Sequence, residues 1–110
     1  MIDLHGKHAV VTGGGSGIGK GISEVLARAG ASVFVADIEL ASAELTIQTL
    51  AGDGEFLCDI VDVTETSSVN RMIENAIKAF GKIDILVNNA GIIGTGKWWE
   101  RETPNDEDWS

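Results

Sequence analysis

Between His8 and Gly30 the chain carries an arrangement that few folds accommodate. A short apolar run, His8-Ala9-Val10-Val11, leads into Thr12-Gly13-Gly14-Gly15-Ser16-Gly17-Ile18-Gly19, and an amphipathic stretch continues to Gly30. Strand, glycine turn and helix in that order aim backbone N–H groups and a helix N-terminus at one place, the geometry that holds a phosphate. Glycine there serves positive φ, close backbone approach to a ligand, or tight helix-on-strand packing. A plain βα turn that only tolerates glycine does not call for this density. The spacing is Gly13-x-x-x-Gly17-x-Gly19, which departs from the G-x-G-x-x-G of the usual dinucleotide turn. Gly14 to Gly19 followed by Lys20 and Gly21 also stands one residue short of a P-loop, which needs Ser or Thr after the lysine to hold Mg²⁺. The turn alone leaves both readings open.

The chain after the turn narrows the choice. Ile18, Ile22, Val25, Leu26 and Ala29 recur at helical spacing and Gly30 terminates the pattern. Ala31 to Ala36 is a continuous apolar run, as expected of a strand buried on both faces, and it ends at Asp37. Leu40, Ala43, Ile47 and Leu50 mark a second helix, broken by Gly52-Asp53-Gly54. A third strand runs from Phe56 to Val61 and ends near Asp62-Val63-Thr64. Val69, Met72, Ile73, Ala76, Ile77 and Phe80 form one stripe of a third helix facing a sheet, closed by Gly81. Ile83 to Val87 is a fourth strand running into Asn88-Asn89-Ala90-Gly91. The order βαβαβαβ implies an α/β fold with a parallel sheet and right-handed crossovers. The expected strand order is 3-2-1-4, the first half of a doubly wound, Rossmann-like sheet. Residues 1–110 form a single, partial domain, within which 92–110 read as a loop and the start of an incomplete helix near Asp106 to Trp109.

Composition excludes several classes of function. With 17 acidic against 8 basic residues the formal charge is −9, the wrong sign for a nucleic-acid partner. No apolar stretch reaches membrane-spanning length, and the first residues lack the basic-then-apolar layout of a signal peptide. A cytoplasmic setting is expected. Cys58 is the single cysteine and lies in an apolar run, so a buried, inert thiol is expected rather than a nucleophile. His5 and His8 both sit near the N-terminus, and no metal site is expected.

In such a sheet ligands bind across the carboxyl ends of the strands, and the distinctive polar residues fall there. Asp37 at the end of strand two can accept both hydroxyls of an adenosine ribose, or can cap the helix that follows. Its charge repels a 2′-phosphate, and neither the turn nor Ile38 supplies an arginine to hold one, so NAD is favoured over NADP. Asp62 and the Val63 backbone can frame an adenine. Asp59 is the weaker alternative, since strand alternation turns it elsewhere. Asn88 and Asn89 can tie neighbouring strands while Ala90 and Gly91 let a ligand approach the backbone.

Together these residues resemble the short-chain dehydrogenase/reductase family. The resemblance rests on Thr12-Gly13-x-x-x-Gly17-Ile18-Gly19, Asp37, Asp62-Val63-Thr64 and Gly81-x-x-Asp84-x-Leu86-Val87-Asn88-Asn89-Ala90-Gly91. It covers essentially the whole chain, and the last stretch is its most specific part. It implies an oxidoreductase that moves a hydride between NAD(H) and a secondary alcohol or ketone. It places Ser16, Gly17 and Ile18 on the pyrophosphate side and Asp37 on the adenine ribose, and counts Gly13 and Gly19 of the turn among the cofactor-binding residues. Asp62 and Val63 meet the adenine, and Asn89, Ala90 and Gly91 lie along the nicotinamide.

The chain departs from the family in one respect that matters. Members use a tyrosine as general acid/base, a lysine four residues later, a serine and an asparagine, in a segment beyond the point where this sequence stops. Tyrosine is absent throughout. No catalytic residue is therefore assigned, and Ser16, Lys20 and Lys78 are not promoted to the role. The expectation is the cofactor-binding half of such an enzyme, inactive alone and a fragment or shortened product. Its fourth strand, left as an open apolar edge, would drive homo-oligomerisation. A non-catalytic dinucleotide-binding module is the alternative, and a P-loop nucleotide binder a distant third because Gly21 lacks a hydroxyl. Trp98 and Trp99 suit either a substrate wall or a packing contact.

Overall fold

The computed structural model describes residues 2–89. Seven elements alternate along them: β1 (His8–Thr12), α1 (Gly17–Arg28), β2 (Ser32–Asp37), α2 (Leu40–Thr49), β3 (Phe56–Ile60), α3 (Thr66–Phe80) and β4 (Ile85–Asn88). The sheet order is β3-β2-β1-β4 with every pairing parallel, as the alternation of strand and helix predicts. Ala90 and Gly91 lie outside the described residues, as do the expected loop over 92–110, Trp98 and Trp99.

Register follows from burial on both faces. Val10 pairs with Phe34 and Leu86, and Val11 with Val35 and Val87. Successive strand residues point to opposite faces, so the sheet divides the core in two. On one side Val10, Phe34, Ala36 and Val61 pack with Met72 and Ala76 of α3. On the other, Val11, Val33 and Val35 pack with Ala27 of α1 and Ala43 of α2. At the amino end of the sheet the Asp84 carboxylate accepts the His8 backbone N–H at 2.9 Å, the Asp84 N–H returns a bond to the His8 carbonyl, and Phe80 stacks on the His8 ring.

The helices depart from the sequence reading in detail. In α1 the residues that meet the sheet are Gly19, Ser23 and Ala27, all small. Ile18 and Val25 of the apolar period point outward, 71% and 62% exposed. The glycine turn brings this helix so close to the sheet that bulky side chains do not fit beneath it. Ile22 and Leu26 cover its flank. In α3 the expected stripe holds except for Ile77, which is largely exposed. The third strand ends one residue early, at Ile60, with Val61 buried just beyond it. Cys58 is half-buried in the α1–α2 core, and burial together with the Glu44 and Asp59 carboxylates pushes its thiol pKa up, which disfavours the thiolate.

Candidate functional site

The glycine turn connects β1 to α1 at the carboxyl rim of the sheet. Gly13 and Gly17 adopt φ of +66° and +57°, backbone that side-chain-bearing residues rarely take. Gly19 serves another purpose, since a Cβ there would overlap the Gly13 carbonyl. Ser16 is the N-cap residue of α1, yet its side chain makes no capping bond. The first N–H groups of α1 are thereby left available to an anion, with the positive end of the helix dipole behind them.

Three strand ends complete the rim. At β2 the Asp37 carboxylate accepts the Gly15 N–H at 2.9 Å through Oδ2 and the Glu39 N–H at 3.0 Å through Oδ1. Glu39, not Asp37, is the N-cap residue of α2, so Asp37 bridges the turn and the helix without capping the latter. Beyond β3 the Asp62 carboxylate accepts both the hydroxyl and the N–H of Thr64, at 2.6 and 3.0 Å. Those two bonds hold its pKa below the usual carboxylate range, the hydroxyl contributing most. Its own N–H donates to the Ser68 hydroxyl of α3 at 2.9 Å. Asp59 points away from the rim and accepts a bond from the Asn75 amide of α3, as strand alternation predicts.

At β4 the Thr12 hydroxyl lies 3.0 Å from the Asn88 side-chain oxygen, tying the central strand to its neighbour. The Asn89 amide donates to the Gly13 carbonyl at 3.3 Å and braces the turn from the opposite side.

These residues enclose a cleft of about 340 Å³. It is lined by Gly13, Ser16, Gly17, Ile18, Asp37, Asp62, Val63 and Asn89, all anticipated from sequence, and also by Ile38, Val61 and Thr64. Gly19 lies behind the lining, buried against the turn. Ile38 and Val61 were missed as lining residues because apolar residues next to a strand end read as core; their place directly after β2 and β3 was the available signal. No lysine or arginine lines the cleft among the described residues. A shallower groove along α1, lined by Ile18, Gly21, Ile22, Val25 and Leu26, offers no polar side chain to orient a ligand. No group of His, Cys, Asp and Glu suited to a metal ion occurs among the described residues.

A parallel sheet with a glycine turn, a free helix N-terminus and an acidic strand end on one rim defines a dinucleotide-binding class of fold. The comparison with known proteins is narrower. The family model of the short chain dehydrogenases matches residues 7–110, and the chain belongs to that family. It is 44% identical over 91 residues to a 3beta-hydroxysteroid dehydrogenase of Eggerthella lenta, an alignment covering 82% of this chain and 35% of the relative. The crystal structure of a hydroxysteroid dehydrogenase from Escherichia coli superposes with a TM-score of 0.74 at 44% identity, over 81% of this chain and 37% of that one. RhlG of Pseudomonas aeruginosa, in an NADP active-site complex, gives a TM-score of 0.76 at 31% identity, over 90% of this chain and 40% of that one. The chain thus spans about a third of the length of the curated relatives it matches.

Proposed function

We propose that this chain is the NAD-binding half of an oxidoreductase that interconverts a secondary alcohol and a ketone. The observation that carries the reading is the Asp37 carboxylate, held at the rim beside the uncapped N-terminus of α1 in a cleft that no lysine or arginine lines among the described residues. The N–H groups at Ser16, Gly17 and Ile18 take the pyrophosphate, whose charge needs no side-chain partner at a helix N-terminus. Asp37 accepts the adenosine ribose hydroxyls and repels a 2′-phosphate. Asp62, already fixed by Thr64, and Val63 border the adenine, with Ile38 as an apolar wall. Asn89, Ala90 and Gly91 lie toward the nicotinamide, by resemblance to the family. When bound, the nicotinamide supplies the hydride-exchanging carbon; this chain's residues bind and orient it. The hydroxysteroid dehydrogenases among the relatives support the alcohol–ketone chemistry. The same reading carries a cytoplasmic setting, a small-molecule substrate and homo-oligomerisation.

Calorimetric titration with NAD and with NADP tests it. NAD is expected to bind more tightly, and Asp37→Ala to abolish the preference. NADP binding more tightly to the unaltered chain removes the role given to Asp37.

A further inference from the structure

Gly15 is a glycine of the turn whose backbone does not require glycine. It is absent from the positive-φ glycines, unlike Gly13 and Gly17. What it lacks is room. A Cβ at Gly15 would stand 2.8 Å from Asp37 Oδ2 and 2.6 Å from the Ser42 Cβ of α2, closer than such atoms approach without something shifting. Its N–H meanwhile donates to that same Oδ2 at 2.9 Å.

We propose that Gly15 is a positioning residue for cofactor selectivity, fixing the Asp37 carboxylate through its N–H and its missing side chain. The inference rests on the reading of Asp37 as the ribose-binding group. Each carboxylate oxygen has two acceptor positions. Gly15 occupies one on Oδ2 and Glu39 one on Oδ1, which leaves one acceptor position on each oxygen of a carboxylate that lines the cleft. A side chain at position 15 displaces the carboxylate. The hydrogen bond to a 2′-hydroxyl is then lost, and the negative charge moves away from the place a 2′-phosphate would take. NAD weakens while the penalty on NADP falls. Damage to the turn in general would weaken both cofactors alike, through the pyrophosphate they share, and leave their ratio unchanged.

Calorimetry on the full chain compares Gly15→Ala, Asp37→Ala and the double variant, each checked for folding by circular dichroism. Gly15→Ala is expected to lower the NAD-to-NADP affinity ratio roughly tenfold, the scale of one hydrogen bond to a charged group. The double variant should lose no more than Asp37→Ala alone. Equal weakening of both cofactors by Gly15→Ala, or strictly additive losses, overturns the proposal while leaving Asp37 in its role. An unchanged ratio in Asp37→Ala overturns the ribose reading itself and this inference with it. Adding Ser42→Gly to Gly15→Ala relieves the crowding against α2, and the ratio should stay low. Recovery would assign the effect to α2 instead and overturn the proposal. Independently of any ligand, amide exchange at Gly15 should be protected in the unaltered chain and accelerate in Asp37→Ala; unprotected exchange at Gly15 in the unaltered chain contradicts the anchoring bond.

Discussion

Thr46 of α2 is 1% exposed and its hydroxyl has no hydrogen-bond partner among the described residues. A buried, unpaired hydroxyl costs free energy that an isosteric methyl does not. Thr46→Val is therefore expected to stabilise the fold by about 1 kcal/mol, read as a higher midpoint in urea. Titrating residues give two pH dependences of opposite sign. The His8 N–H, followed by Lys82, holds the Asp84 carboxyl below its ordinary pKa. A depressed carboxyl contributes stability above the unfolded value near ~3.9 and loses it as pH falls through the folded value. Asp84→Asn should therefore flatten the acid limb of a melting-temperature profile. His5 is shifted the other way, raised by its bond to Asp3 and then by that to Asp53. Its contribution is complete below about pH 6.5 and disappears as pH rises through the folded value. The melting temperatures of the unaltered chain and of His5→Gln should converge between slightly acidic and alkaline pH. His5 is solvent-exposed, and added salt should shrink its effect.

The helices show what their sequences encode and what they leave open. The apolar period of α1 was legible, but the face it turns to the sheet was not. Hydropathy ranks bulk, whereas the sheet admits only Gly19, Ser23 and Ala27, which no apolar stripe identifies. Met72 and Ala76 of α3 were legible because that helix packs farther from the strands, through larger side chains. The strand ends were legible for a simpler reason. A carboxylate or amide that interrupts a β-branched run, as at Asp37, Asp62 and Asn89, marks where the chain meets solvent. Ile38 and Val61 at the same rim carry no such mark. Two substitutions test the account of α1. Gly21 has open space where a Cβ would stand, so Gly21→Ala should stabilise by about 0.5–1 kcal/mol in thermal or urea unfolding. Val25→Lys should alter stability by less than about 0.5 kcal/mol, since Val25 already faces solvent. A large loss in Val25→Lys would mean that the outward face of α1 is covered in solution.

At the scale of the molecule, β4 is an edge of the described sheet and Leu86 on it is 56% exposed. An open parallel edge bearing apolar side chains favours pairing with another chain. Sedimentation velocity should show concentration-dependent self-association, reduced in Leu86→Lys. A monomer at all concentrations removes the proposed oligomer. The strand order also has a consequence for how the molecule comes into being. β1 lies at the centre of the sheet, yet it pairs with residues as distant in sequence as Asn88, opposite Thr12. During synthesis β1 and its turn emerge before β4, and one flank of that strand has no native neighbour until β4 follows. Such non-local pairings form slowly and leave edges exposed meanwhile. The brace from Asn89 to the Gly13 carbonyl arrives later still. A ligand can therefore assist folding through the whole cleft only after residue 89 has left the ribosome.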